Sequence, residues 1–186
     1  LRKYLRSHLE DRTQAIFRYY GISPWEIETL YSTLGRAFEV DDQEVLADDP
    51  QYVSMVEISF PLPYGEPFFE TFTMENWFKI KGILKDMKHR RGKKGVKTYL
   101  RFAGFSNTQT TLVFPLLSRG DRQFEMGLEK LEYLVDIVSI QLKTVPDNAQ
   151  EIWYSYNDAG FKWSPDLAKA NNANYVFRND EWKAAK

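Results

Sequence analysis

The chain has 186 residues, no cysteine and a formal charge of −1. That length supports one sizeable core, and the missing cysteine excludes disulfides, thiolate catalysis, zinc fingers and iron–sulfur clusters. Hydrophobic content of 43% and charged content of 27% are those of a globular domain, and no apolar run reaches membrane-spanning length. The chain opens on Leu1 rather than Met, which leaves room for residues ahead of it, and a cytoplasmic location is the default expectation.

Residues 1–20 carry Leu1, Leu5, Leu9, Ile16 and Tyr20 on one stripe near the 3.6-residue period, which predicts an amphipathic helix stopped at Gly21. Ser23, Pro24 and Glu26 follow in the order of a capped helix start: Ser as cap, Pro in the first turn, Glu at the capping-box position. Ile27, Leu30, Tyr31, Leu34 and Phe38 give that second helix its buried face, so residues 1–38 read as an αα-hairpin.

From Glu39 to Glu75 there are ten acids and no Lys or Arg. Its first part reads as a solvated loop or a brief irregular strand, without the ligand spacing of a calcium loop. Residues 52–60 alternate as a strand, 61–65 turn, and 68–73 read as the returning strand. A helix over 75–88 follows, with Trp77, Ile80, Ile83, Leu84 and Met87 inward. The same order recurs: strand 97–105, turn 106–108, strand 110–116, then a long helix over 121–142 with Phe124, Leu128, Leu131, Val135, Val138 and Leu142 on one face.

These elements predict an α+β fold: the αα-hairpin, then a four-stranded antiparallel sheet from two ββα units (52–88 and 96–142) with both helices packed on one face. Together they form a single domain over 1–145. Tyr133, Ile137 and Ile140 lie opposite the core stripe of the last helix and need a cover. The aromatic-rich tail, 146–186, is the natural one, docked on its own domain or on a partner and holding a short helix over 167–171.

Chemistry concentrates between Lys79 and Arg101, where ten cations and one acid give +9 and leave −10 for the remainder. Phe78, Lys81, Lys85 and Lys88 share the outward face of the 75–88 helix and lead into Arg90, Arg91, Lys93, Lys94 and Lys97. Cations neutralising phosphates beside a ring that stacks a base suit a nucleic acid, single-stranded rather than duplex, with Tyr99 or Phe102 as further stacking surface. The competing assignments are a solvated helix face, or pairing of the basic segment with acids of the same chain or of a partner.

Lys94-Gly95 followed by Tyr99-Leu100-Arg101-Phe102 has some look of the RNP1 sequence of the RNA recognition motif, but one residue too many separates Gly95 from Tyr99 and the element order is wrong, so that family is rejected. The order helix, strands, helix, two strands, long helix is similar to that of secretion-chaperone-like adaptor domains, which bind protein segments and often dimerise. That resemblance implies the alternative reading: a protein-interaction or dimerisation module whose basic loop meets an acidic partner and whose last long helix or tail forms the interface.

No catalytic constellation is present. The two histidines, His8 and His89, have no recognisable partner, and Walker, GxSxG and GxGxxG motifs are absent. The expectation is a non-catalytic binding domain with no cofactor, no metal and no membrane association.

Overall fold

The computed structural model describes residues 13–105 and 108–185. Its centre is a nine-stranded mixed sheet in the order β2-β1-β3-β4-β5-β6-β7-β8-β9. The strands are β1 Gln14–Tyr20, β2 Glu39–Glu44, β3 Ser54–Phe60, β4 Val96–Phe102, β5 Thr111–Leu116, β6 Ala149–Asn157, β7 Lys162–Ala170, β8 Asn174–Arg178 and β9 Glu181–Ala184. Among the described residues, five α-helices accompany them: α1 Pro24–Leu34, α2 Glu66–Phe72, α3 Met74–Arg91, α4 Asp121–Glu129 and α5 Val135–Gln141.

The four-stranded antiparallel sheet and the N-terminal αα-hairpin are both overturned. The pairs β1/β2, β3/β4 and β5/β6 are parallel, whereas β1/β3 and β4/β5 are antiparallel. Parallel neighbours need a crossover, and α1, α2 with α3, and α4 with α5 supply three. The described part of the predicted first helix is strand β1. Its inward residues Ala15, Phe17 and Tyr19 alternate with Ile16 and Arg18, so the two-residue period outweighed a helical stripe of Ile16 and Tyr20. Residues 1–12 lie outside the described residues.

Residues 68–73 are not a returning strand either. Gly65 at φ 151° and Pro67 in the first turn start α2, and Phe68 stacks on Phe72 at 5.5 Å, the i,i+4 contact of a helix. With that strand gone there is no ββα repeat. The 121–142 helix breaks at a 3-10 turn, Leu131–Tyr133. There the carbonyl freed from the helix ladder at Leu131 accepts the Tyr64 hydroxyl. The tail is four strands of the same sheet. Trp163, Pro165 and Ala168 face the core from β7, and a register shift beside Tyr154 accommodates Pro165, which has no amide hydrogen to give.

The helices cover one face of the sheet. Between them runs a chain of rings, among them Phe38 on Phe72 (5.6 Å), Phe60 on Phe102 (5.1 Å) and Phe114 on Tyr154 (4.8 Å). Offset and edge contacts of this kind add to area burial and fix which rings meet. Among the described residues, the other face carries no helix. Among the described residues, no helix is long and apolar enough to cross a membrane.

Candidate functional site

The basic segment spans α3, a 3-10 turn at Gly92–Lys94, and β4. α1 begins as its sequence predicts: the Ser23 hydroxyl accepts from the Glu26 amide, and the Glu26 carboxylate accepts from the Ser23 amide. That carboxylate has a second task. Only 1% exposed, it accepts from Arg91 at 2.7 Å and from Arg90 at 2.9 Å. Arg91 also donates to the Ser54 hydroxyl and the Gly21 carbonyl, tying α3 to the ends of β1 and β3. Burial alone raises the Glu26 carboxyl, but the Arg91 guanidinium and the Ser23 amide outweigh it and hold the group at about 2.

The lysines of α3 are spent in the same way. Lys81 is buried and pairs with Glu129 at 2.7 Å and with Glu132, while Lys85 takes the other oxygen of Glu129. Burial raises Glu129, and the two ammonium groups more than reverse that, leaving it below the usual carboxylate range. Lys88, 1% exposed, donates to the carbonyls of Gly92 and Arg119 and to Asp121. Lys97 is buried on β4 with Asp48 as its partner. Phe102 is in the core, and Tyr99 lies half-buried on the helix-free face.

Of the cations predicted to meet phosphate, only Lys93 and Lys94 are exposed with no ion pair among the described residues. Phe78 is exposed, but its ring lies 4.9 Å from the Lys81 ammonium, which faces the acids of α4 and its following turn. The acids that neutralise the segment are mainly Glu26, Asp121, Glu129 and Glu132. From the acidic stretch 39–75, Glu75, Asp48 and Glu57 take part, pairing with Lys79, Lys97 and Arg101.

What the structure leaves open lies lower on the helical layer. Tyr133, Ile137 and Ile140 are 77%, 47% and 66% exposed, because the tail expected to cover them is in the sheet. Alongside, between α2 and the start of α5, is a groove of about 530 Å³ floored by Phe69, Met74, Tyr133 and Val135. Glu66, Glu70 and Asp136 rim it, and none has an ion pair among the described residues. Glu132 also lines it but is committed to Lys81 and to the indole nitrogen of Trp77. Met74 and Phe78 extend the apolar strip one turn along α3.

The Tyr133–Ile140 stripe was legible as an apolar row in need of a cover. The α2 side of the groove was not, since reading 68–73 as a strand separated Glu66 and Glu70, which a helix places one turn apart on the same rim. For catalysis there is little: His89 is exposed with Nδ1 3.4 Å from Asp121, and His8 lies outside the described residues. No group of three or more His, Asp or Glu suited to a metal occurs among the described residues. No family model matches the chain, and neither a curated protein nor a solved structure shows significant similarity to it.

Proposed function

We propose that this chain is a non-catalytic protein-interaction module whose α2–α5 groove holds a basic amphipathic segment of a partner protein. The observation that carries this reading is the bare strip from Met74 and Phe78 to Tyr133, Ile137 and Ile140, exposed beside a groove rimmed by unpaired carboxylates. A contiguous apolar patch with a polar rim is the usual mark of a contact surface. Here the apolar floor takes one face of a helix or strand, and Glu66, Glu70 and Asp136 meet its lysines or arginines. A two-fold dimer through the same surface would set these acids against their own copies, which disfavours self-pairing.

The test is fluorescence anisotropy with an 18-residue Leu/Lys helix as probe and a scrambled peptide of the same composition as control. The helix should bind at least about tenfold tighter than the scramble, a difference near 1.4 kcal/mol. Ile140→Asp should abolish binding, and Asp136→Lys should weaken it and flatten its salt dependence. Equal affinity for helix and scramble, or binding untouched by both substitutions, would remove the reading. Concentration-dependent dimerisation abolished by Ile140→Asp would assign the strip to a second copy instead.

A further inference from the structure

The helix-free face of the sheet holds a second concavity, far from the α2–α5 groove in the fold and independent of its reading. Residues 45–53, leaving β2, cross this face as a strap on the way to β3. Between strap and sheet is a cleft of about 540 Å³, within the range of small-ligand sites. Its floor comes from side chains that register places together: Glu57 lies opposite Tyr99, Met55 opposite Lys97, and Arg18 opposite Glu57. Trp153 closes the far end, edge-to-face with Tyr99 at 6.1 Å, and Leu46 stands 91% exposed on the strap above.

The electrostatics of this floor are organised as a row. Arg18 pairs with Glu57, Arg101 lies between Glu57 and Glu151, and Lys169 pairs with Glu151. Lys97 pairs with Asp48 of the strap. Within this set, four cations meet three carboxylates, which leaves one positive charge in excess. Arg101 Nε is buried 3.7 Å from a Glu57 oxygen, an ion pair outside hydrogen-bond distance. Asp48 is the one carboxylate in the set that is mostly exposed and on a loop, so an incoming anion can take its place on Lys97 without stranding a buried acid.

We propose that this cleft binds a small anion, an aromatic ring carrying one carboxylate or phosphate. The ring packs against Tyr99, Trp153 and Leu46, and the anionic group replaces Asp48 on Lys97 within reach of Arg18. Neither ring nor charge alone engages both halves of the site.

Calorimetric titration of the intact chain tests this with benzoate and adenosine monophosphate as the two sources of a ring-bearing anion. Acetate and inorganic phosphate supply the charge alone, and adenosine the ring alone. At least one ring-bearing anion should bind with a Kd below about 1 mM, and its ringless or uncharged counterpart at least about tenfold more weakly. Tyr99→Ala should weaken binding about fivefold or more, as deletion of a stacking ring does, with its melting curve as the control for folding. Asp48→Asn, at an exposed position, should tighten binding because it removes the competing carboxylate. If neither ring-bearing anion binds below about 10 mM, the ligand class is wrong. Equal binding of phosphate or acetate alone, or an Asp48→Asn variant with unchanged affinity, would equally overturn the site.

Discussion

Glu26 is where the charge pattern of this chain is most open to measurement. Replacing it with Gln keeps a capping-box side chain and nearly the same volume, so the change isolates the negative charge that Arg90 and Arg91 enclose. The folded carboxyl is held at about 2 against an ordinary 4.5. That difference is worth about 3 kcal/mol of stability at neutral pH, at 1.36 kcal/mol for each tenfold change in proton affinity. Because the folded value is depressed, this stability is fully present above pH 4.5 and is lost as pH falls towards 2. Urea unfolding of the native chain and of Glu26→Gln at pH 7, 5, 4, 3 and 2.5 should show a gap of about 2–3 kcal/mol at neutral pH that closes towards the acid end. A gap below about 0.5 kcal/mol at pH 7, as for an exposed pair, or one that stays constant with pH, would refute the enclosed-pair reading.

Lys81→Met should be more damaging than its position in a basic segment suggests. It leaves Glu132, 5% exposed, without its ammonium partner, at a cost of about 3–5 kcal/mol by urea unfolding; a loss under about 1 kcal/mol would place that carboxylate in water. Joint replacement of Lys93 and Lys94 by Ala, by contrast, should change stability by no more than about 0.5 kcal/mol in the same assay. Gly21→Ala should cost at least about 2 kcal/mol in thermal unfolding. Gly21 has φ +66°, and an added Cβ would lie 2.1 Å from the Val53 carbonyl oxygen, a backbone atom that cannot swing aside.

Local signals carried the parts of the fold whose chemistry is local. Ser23, Pro24 and Glu26 announced α1, and Trp77, Ile80, Leu84 and Met87 announced α3 with the right inward face. The failures have a common physical origin in context. Ala15, Phe17 and Tyr19 make a strand only because β2 and β3 flank them, and in isolation Ile16 and Tyr20 satisfy a helical stripe as well. Ser164-Pro165-Asp166 looks like a helix start until a bulge in its own strand, at Asp166, absorbs the proline.

Charge was harder still. Lys81 and Lys88 each follow a core residue, Trp77 and Leu84, by four positions, yet both are buried by acids 33 to 51 residues away in the chain. Composition counts cations but not their partners, and only the α3–α4 packing decides that Glu129 and Glu132 face Lys81 rather than water.

The outer edge of β2 has a bearing on how such a protein stays dispersed. Glu39, Asp41, Asp42 and Glu44 put four carboxylates and no cation on a six-residue strand whose second side has no strand neighbour among the described residues. A chain adding itself there would gain main-chain hydrogen bonds only by bringing two acidic rows together, so the edge discourages edge-to-edge growth into aggregates. A sheet guarded in this way can tolerate one adhesive surface elsewhere. On the proposed reading, the partner is met at the strip beside α5, by side chains rather than by this open backbone edge.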